Sequence, residues 1–360
     1  MDASAATIPD LLLGWYDTHH RTLPWRSPPG SPPLAHDKDW PYRVWLSEVM
    51  LQQTTTAAVG PYFKKFLARW PDVAALAAAD EGEVMAAWAG LGYYARARNL
   101  IACAKAVAAG GGQFPQSETE LRKLPGLGAY TAAAIAAIAF GERSVVVDGN
   151  VERVIARLFA IATPLPRARV QIRAEADTLT PHERPGDFAQ AMMDLGATVC
   201  TSRAPRCLLC PLGAHCAGRA LGPEQFPVKV PKAAKPQRQG QAFWIERGGR
   251  VWLIRRAGKG MLGGMRALPD DGWSAHADGD GAAPLDGDWT PAGTVRHSFT
   301  HFDLDLQLMV YSGPDCSRLD PQQGEWCALD RLDEAGLPTL FAKAARLTTA
   351  AAETGRTSGD

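Results

Sequence analysis

Four cysteines within 17 residues, Cys200-x6-Cys207-x2-Cys210-x5-Cys216, limit what this chain can fold into more than any other feature. Pro205, Pro211 and Gly213 lie among them, so the thiols sit on short loops rather than in regular elements. Two chemistries use four clustered thiolates: a tetrahedral zinc site and a [4Fe–4S] cluster. The wide first gap is unlike the paired C-x2-C halves of zinc ribbons, but spacing alone leaves both open. A disulfide set would need an oxidising compartment. Met1 to Pro9 carries Asp2 and lacks an apolar core, unlike a secretory signal. No stretch approaches the roughly 18 apolar residues of a membrane span. The expectation is a cytoplasmic protein with reduced thiols and no membrane partner. Cys103, Cys316 and Cys327 read as ordinary thiols.

Hydrophobic residues make up 46% and charged residues 21% of the 360, a balance that supports folded domains with real cores. The length allows two or three of them. The formal net charge of zero hides an asymmetry. Residues 1–238 carry 26 Lys and Arg against 21 Asp and Glu, and the remainder 12 against 17. A mildly basic front part can meet phosphates.

Apolar residues recur at helical spacing over Pro41 to Val59, Glu81 to Trp88, Arg96 to Ala109, Tyr130 to Phe140, Val151 to Ile161 and Arg169 to Leu179. From Gln241 the pattern alternates, as in Arg250 to Ile254 and Phe302 to Val310, which reads as strands. Between them, residues 222–240 hold four prolines among Lys229, Lys232, Lys235 and Arg238, a semi-extended basic linker. The Asp- and Gly-rich segment 270–288 reads as a flexible loop. The expected organisation is a helical region over 8–221, a linker over 222–240, an α+β domain over 241–348 and a disordered tail over 349–360.

Several strings carry possible chemistry. In Leu124 to Ala132, Gly126 and Gly128 allow a tight turn with exposed amides at the next helix start, a phosphate-binding arrangement. Asp148, ahead of the apolar Val151, reads first as a helix N-cap, and its carboxylate could also face a groove. Glu48 and Gln52 stand four apart on one helical face. Trp45, Val49 and Leu51 around Glu48 suggest burial, which raises a carboxyl toward an acid role. Gly90 to Leu100 places glycines, Leu91, Tyr93 and two arginines where a base-pair wedge could form. Arg21 to Arg26 alone is a loop with a buried Trp.

Together these strings resemble the helix–hairpin–helix DNA glycosylase superfamily, and within it the MutY-type adenine glycosylases. The resemblance runs from about residue 8 to 345. It implies a mainly α N-terminal part, a six-helix barrel module with hairpin plus an iron–sulfur cluster loop, followed by a C-terminal α+β Nudix-like domain. It implies a [4Fe–4S] cluster on Cys200, Cys207, Cys210 and Cys216. It implies removal of adenine mispaired with 8-oxoguanine or guanine in double-stranded DNA, by a monomer associated with the nucleoid. Glu48 is then the acid and Asp148 the carboxylate beside the sugar, with Tyr130 and Asn150 orienting them. Arg21, Leu23, Trp25 and Arg26 line the adenine pocket. Gln52, Gln53, Leu91, Tyr93, Gly126 and Gly128 contact or wedge the DNA, and Phe299, Thr300 and His301 read 8-oxoguanine.

Tyr130 stands where strand-cutting members of the superfamily carry a lysine, so the resemblance implies base removal without a lyase step. Lys123 leaves room for residual nicking. The segment Ser27 to Asp39 is longer than the family's connection, Gln190 replaces a carboxylate of some members, Thr300 replaces a common Ser, and Met265 to Pro269 is less aromatic. The rivals are a thymine-mismatch or oxidised-pyrimidine glycosylase, a non-catalytic iron–sulfur DNA-binding protein, and a Nudix hydrolase with a helical appendage. The acidic magnesium-binding box that the last would need is missing from the sequence.

Overall fold

The computed structural model describes residues 7–31, 37, 39–230, 234–256, 261–313 and 315–356. Among the described residues eleven α-helices precede the cysteine loop: α1 Ile8–His19, α2 Trp40–Leu51, α3 Thr56–Arg69, α4 Val73–Ala78, α5 Glu81–Trp88, α6 Ala95–Ala109, α7 Glu118–Leu121, α8 Ala129–Phe140, α9 Gly149–Leu158, α10 Arg169–Leu179 and α11 Pro185–Thr198. The short helix α12 (Ala217–Ala220) follows it, and α13 (Thr339–Arg356) ends the described chain. The strands are β1 Gln237–Trp244, β2 Glu246–Arg247, β3 Arg250–Arg255, β4 Arg266–Ala267, β5 Trp289–Ser298, β6 Asp303–Tyr311 and β7 Gly324–Ala328.

The helix expected over 41–59 is two helices. Gln53 adopts a left-handed φ of 61°, and Thr55 caps α3 by accepting from Ala58 N at 3.3 Å. The threonine run that follows α2 favours such capping over continuation, because short hydroxyl side chains compete for backbone groups.

Contacts divide the chain into two compact units. Unit 1 comprises residues 1–79 and 99–232. Its core gathers Leu12 and Tyr16 of α1, Ala133, Ala134 and Ala137 of α8, Val154 and Ile155 of α9, Ile172 of α10, and Met192 and Leu195 of α11. The alanines of α8 let both α2 and α11 lie close to it. At Gly186 a Cβ would stand 2.6 Å from Ala137 O, so only glycine permits that approach.

Unit 2 comprises residues 80–98 and 233–360. Strand β6 pairs in parallel with β1 and antiparallel with β5, while β3 pairs with β2, β4 and β7. Alternate residues Leu304, Leu306 and Leu308 face a core shared with Phe341 and Ala344 of α13. Residues 80–98, expected in the helical region, group with this unit. Gly336 leaves only 3.1 Å between its would-be Cβ and Ala86 Cα, and Arg98 donates to Gly263 O at 2.7 Å.

Other boundaries differ as well. Strand β1 begins at Gln237, inside the expected linker, because Gln237 to Gly240 pair with Asp303 to Leu306. Helix α13 runs to Arg356, through most of the expected tail; residues 357–360 lie outside the described residues. Segment 270–288 lacks helix and strand but is anchored by Trp273 and Leu285, both buried. Trp273 packs against Phe299 and Phe302 with the Arg256 guanidinium 4.9 Å from its ring. Of the expected surface loop 27–39, residues 32–36 and 38 lie outside the described residues. Among the described residues no helix is long and apolar enough to cross a membrane.

Candidate active site

The hairpin ahead of α8 turns at Gly126, whose φ is 76° and whose would-be Cβ falls 2.6 Å from Asn99 Cβ. Gly128 differs from expectation. Its φ of −80° suits any residue and nothing crowds it. It is the N-cap of α8 without a side-chain bond, and no acidic residue occupies the first turn. The amides there remain available for an anion.

Two residues into α8, the Tyr130 hydroxyl donates to Glu48 Oε2 at 2.7 Å. Glu48 sits on α2 among buried Trp45 and Val49 and is itself only 5% exposed. Burial pushes its carboxyl up to about 7; the Asp148 charge adds to the rise, while the Tyr130 bond and the Arg26 charge oppose it. Tyr130 is driven well above the ordinary phenol range, first by desolvation and then by Glu48 and Asp148. It therefore stays a donor at neutral pH.

Asp148 caps α9, accepting from Asn150 N at 2.9 Å and Val151 N at 2.7 Å through Oδ1. Its Oδ2 accepts from Asn150 Nδ2 at 2.9 Å. Arg153 Nη2 donates to Asn150 Oδ1 at 2.9 Å, which fixes the amide so that its NH2 faces Asp148. Capping and cavity lining are thus combined in one side chain.

Glu48, Tyr130, Asp148 and Asn150 line one cavity of about 750 Å³ together with Arg21, Leu23, Trp25, Arg26, Gln52 and Gln53. Trp25 is buried edge-on against Phe63. Gln52 turns inward and donates to Thr131 Oγ1 at 2.9 Å, whereas Gln53 is exposed. The sequence reading missed Asp194 of α11. This fully buried carboxylate accepts from Arg21 N at 2.9 Å, Arg21 Nε at 2.6 Å and Arg26 Nη1 at 2.7 Å. An Asp inside the apolar run of α11 was the available signal, because a buried charge needs partners.

Leu91, Tyr93, Phe299, Thr300 and His301 belong to unit 2. Tyr93 is 52% exposed with a φ of 48°, a strained posture for an aromatic residue. Leu91, expected to wedge, is instead buried, and Arg96 Nη2 holds that turn by donating to Leu91 O at 2.9 Å. At the tip between β5 and β6, Thr300 and His301 are exposed. Phe299 is packed inward, stacked on Phe302 at 4.7 Å. Lys235 Nζ ties the tip down by donating to Phe299 O at 2.6 Å.

Cys200, Cys207, Cys210 and Cys216 ring a cavity of about 30 Å³. No three His, Cys, Asp or Glu side chains among the described residues are grouped so as to hold a single ion. Fully buried Arg157 seals one wall: Nη1 reaches Cys200 Sγ at 3.3 Å and Thr201 O at 2.6 Å, and Nε reaches Phe226 O at 3.1 Å. A Cβ on Gly218 would fall 2.4 Å from Arg157 O, so the cradle is closed tightly around the thiols.

Residues 46–177 match the family model of the HhH-GPD superfamily base excision DNA repair protein, and residues 241–347 match the NUDIX domain. The adenine DNA glycosylase of Homo sapiens is 33% identical over 399 residues, which cover 93% of this chain and 73% of that protein. The chain belongs to the adenine DNA glycosylase family. The adenine DNA glycosylase of Arabidopsis thaliana is 38% identical over 74% of this chain, which spans about half of it, 48%. A solved structure of a thermostable thymine-DNA glycosylase aligns with a TM-score of 0.52 at 28% identity. It covers 59% of this chain and 95% of that structure.

Proposed function

We propose that this chain is a monofunctional DNA glycosylase that hydrolyses adenine from double-stranded DNA when it is mispaired with 8-oxoguanine or guanine. One observation carries the reading: a carboxyl raised toward neutrality by burial, and accepting from the Tyr130 hydroxyl, shares a cavity with a second, capped carboxylate. Cleavage of a glycosidic bond through an oxocarbenium-like state uses such a pair. The adenine must first leave the stack and enter the cavity. Glu48 then gives its proton to adenine N7, and the C1′–N9 bond breaks with its electrons going to the base. Asp148 stabilises the sugar cation. Water adds to C1′ and returns a proton to Glu48, which restores the acid. Asn150 and Arg153 orient Asp148, and Trp25 and Leu23 supply apolar walls for a flat purine.

No amine stands at Tyr130 to attack the sugar, and exposed Lys123 is paired with Glu120 at 2.6 Å. The four cysteines fit a [4Fe–4S] cluster: the donors are all thiols and surround a shared, tightly cradled space. When bound, that group cross-links the 200–216 loop. Arg157 supports the loop by spanning from Cys200 to Phe226. Thr300 and His301 offer exposed polar groups for 8-oxoguanine, and Tyr93 an exposed ring for the duplex. The working form is a monomer, cytoplasmic and associated with the nucleoid through its substrate.

Single-turnover release from duplexes carrying A or T opposite 8-oxoguanine tests the substrate. Adenine release at least tenfold faster is expected; equal or faster thymine release overturns the reading in favour of a thymine-DNA glycosylase. Iron and sulfide in a ratio near one, with broad absorbance in the visible range, is expected for the cysteine loop. Stoichiometric zinc would refute the cluster.

A further inference from the structure

The mechanism above makes no use of Asp194, although it is among the few fully buried charged side chains of the described residues. It lies on α11 one turn beyond Gln190, which lines the catalytic cavity. Its two oxygens accept three N–H bonds from a single short segment: the backbone and Nε of Arg21, and Nη1 of Arg26. Arg26 is itself nearly enclosed, with 7% of its side chain exposed. Its other guanidinium N–H groups bond to nothing further among the described residues. One carboxylate therefore holds two guanidiniums, and both line the cavity that contains Glu48. Tyr16 of α1 closes the back of this cluster, with a buried hydroxyl that has no hydrogen-bond partner. Burial and the Asp194 and Asp187 charges push that phenol up to about 12 against the pull of Arg26 and Arg21, so it stays neutral.

A guanidinium on a flexible stem near a buried carboxyl would close on it as an ion pair unless something held it back. We infer that Asp194 is a positioning residue that anchors Arg26 in the cavity wall and so keeps Glu48 available as a proton donor. The inference rests on the reading of Glu48 as the acid. The groups facing Glu48 are Tyr130 from α8, Asp148 from the start of α9 and Arg26 from the segment before α2. Asp194→Asn removes one negative charge and leaves an amide in place of the double acceptor. Arg26 is then free to pair with Glu48, which favours the ionised carboxyl and lowers the pH at which the acid is lost.

The test is the pH profile of the single-turnover rate with full-length protein and adenine opposite 8-oxoguanine. In Asp194→Asn the alkaline limb is expected to move down by about one pH unit, so the rate above it falls about tenfold while the low-pH plateau changes little. Asp194→Glu should restore much of the limb. In an Arg26→Gln background, Asp194→Asn should no longer move it. Should Asp194→Asn fail to fold by circular dichroism, Asp194→Ser carries the same test: it too removes the charge that anchors Arg26, so the limb should again move down, and an unmoved limb overturns the inference. A folded Asp194→Asn variant with an unmoved limb overturns the inference, as does the same shift without Arg26. Glu48→Gln separates the two claims: if it retains the wild-type rate, the acid reading itself fails. If it is inactive and the limb stays fixed in Asp194→Asn, only the role of Asp194 fails.

Discussion

Replacing Glu48 by Gln removes the acid and should also stabilise the fold at high pH. In the folded protein burial holds the Glu48 proton until about pH 7, whereas the unfolded chain releases it near the ordinary value of 4.5. The sign follows from linkage: a raised folded value means stability that is fully present below the unfolded pKa and lost as pH rises through the folded one. The difference corresponds to about 3 kcal/mol lost between pH 4 and pH 8. Glutamine is close in shape, can accept from Tyr130 and never ionises. Denaturant unfolding of both proteins at pH 4 and pH 8 should show near-equal stability at the lower pH. At the higher pH the Glu48→Gln protein should be the more stable by about 3 kcal/mol. The same variant should lose about 10²- to 10⁴-fold in base release, the usual contribution of a general acid. A stability difference that does not vary with pH would refute the argument that Glu48 is desolvated in the resting cavity.

Asp148→Asn should cost about 1 kcal/mol of stability as a weakened cap and on the order of 10²- to 10³-fold in rate, measured by melting and single-turnover release. Tyr130→Lys should create an amine at the cavity, and borohydride should then trap a covalent protein–DNA adduct that the wild type does not give. Trp273→Ala should destabilise the C-terminal unit by about 3–5 kcal/mol, because the segment 270–288 hangs on that ring. Thr300→Ala should lower the preference for 8-oxoguanine over guanine by about fivefold, near 1 kcal/mol, with little change in the rate from A·G duplexes.

Much of this arrangement was legible from local chemistry. Helix α5 was bounded to the residue by its 3.6 periodicity, and Asp148 read as a cap because short acceptors ahead of an apolar helix serve that purpose. The burial of Glu48 followed from the large apolar residues one turn away on α2. What escaped was long-range or conformational. The break between α2 and α3 depends on a left-handed Gln53, a residue with no preference for that region. The link from Asp194 to Arg21 joins residues 173 apart, so no window contains both. Leu91 fell on the inner side of its turn because Arg96 gathers the carbonyls of Leu91 and Gly92, a bond invisible to spacing. The affiliation of residues 80–98 with the C-terminal unit likewise rests on contacts such as Ala86 against Gly336, which lie far apart in the chain.

The most direct test of the account is the identity of the products from one duplex with adenine opposite 8-oxoguanine, analysed by mass spectrometry without heat or alkali. The account predicts free adenine and an unbroken strand bearing an abasic site, in equal amounts, with both lost in Glu48→Gln. A strand cleaved at the site, a borohydride-trapped adduct, or no adenine release from the wild-type protein would contradict it.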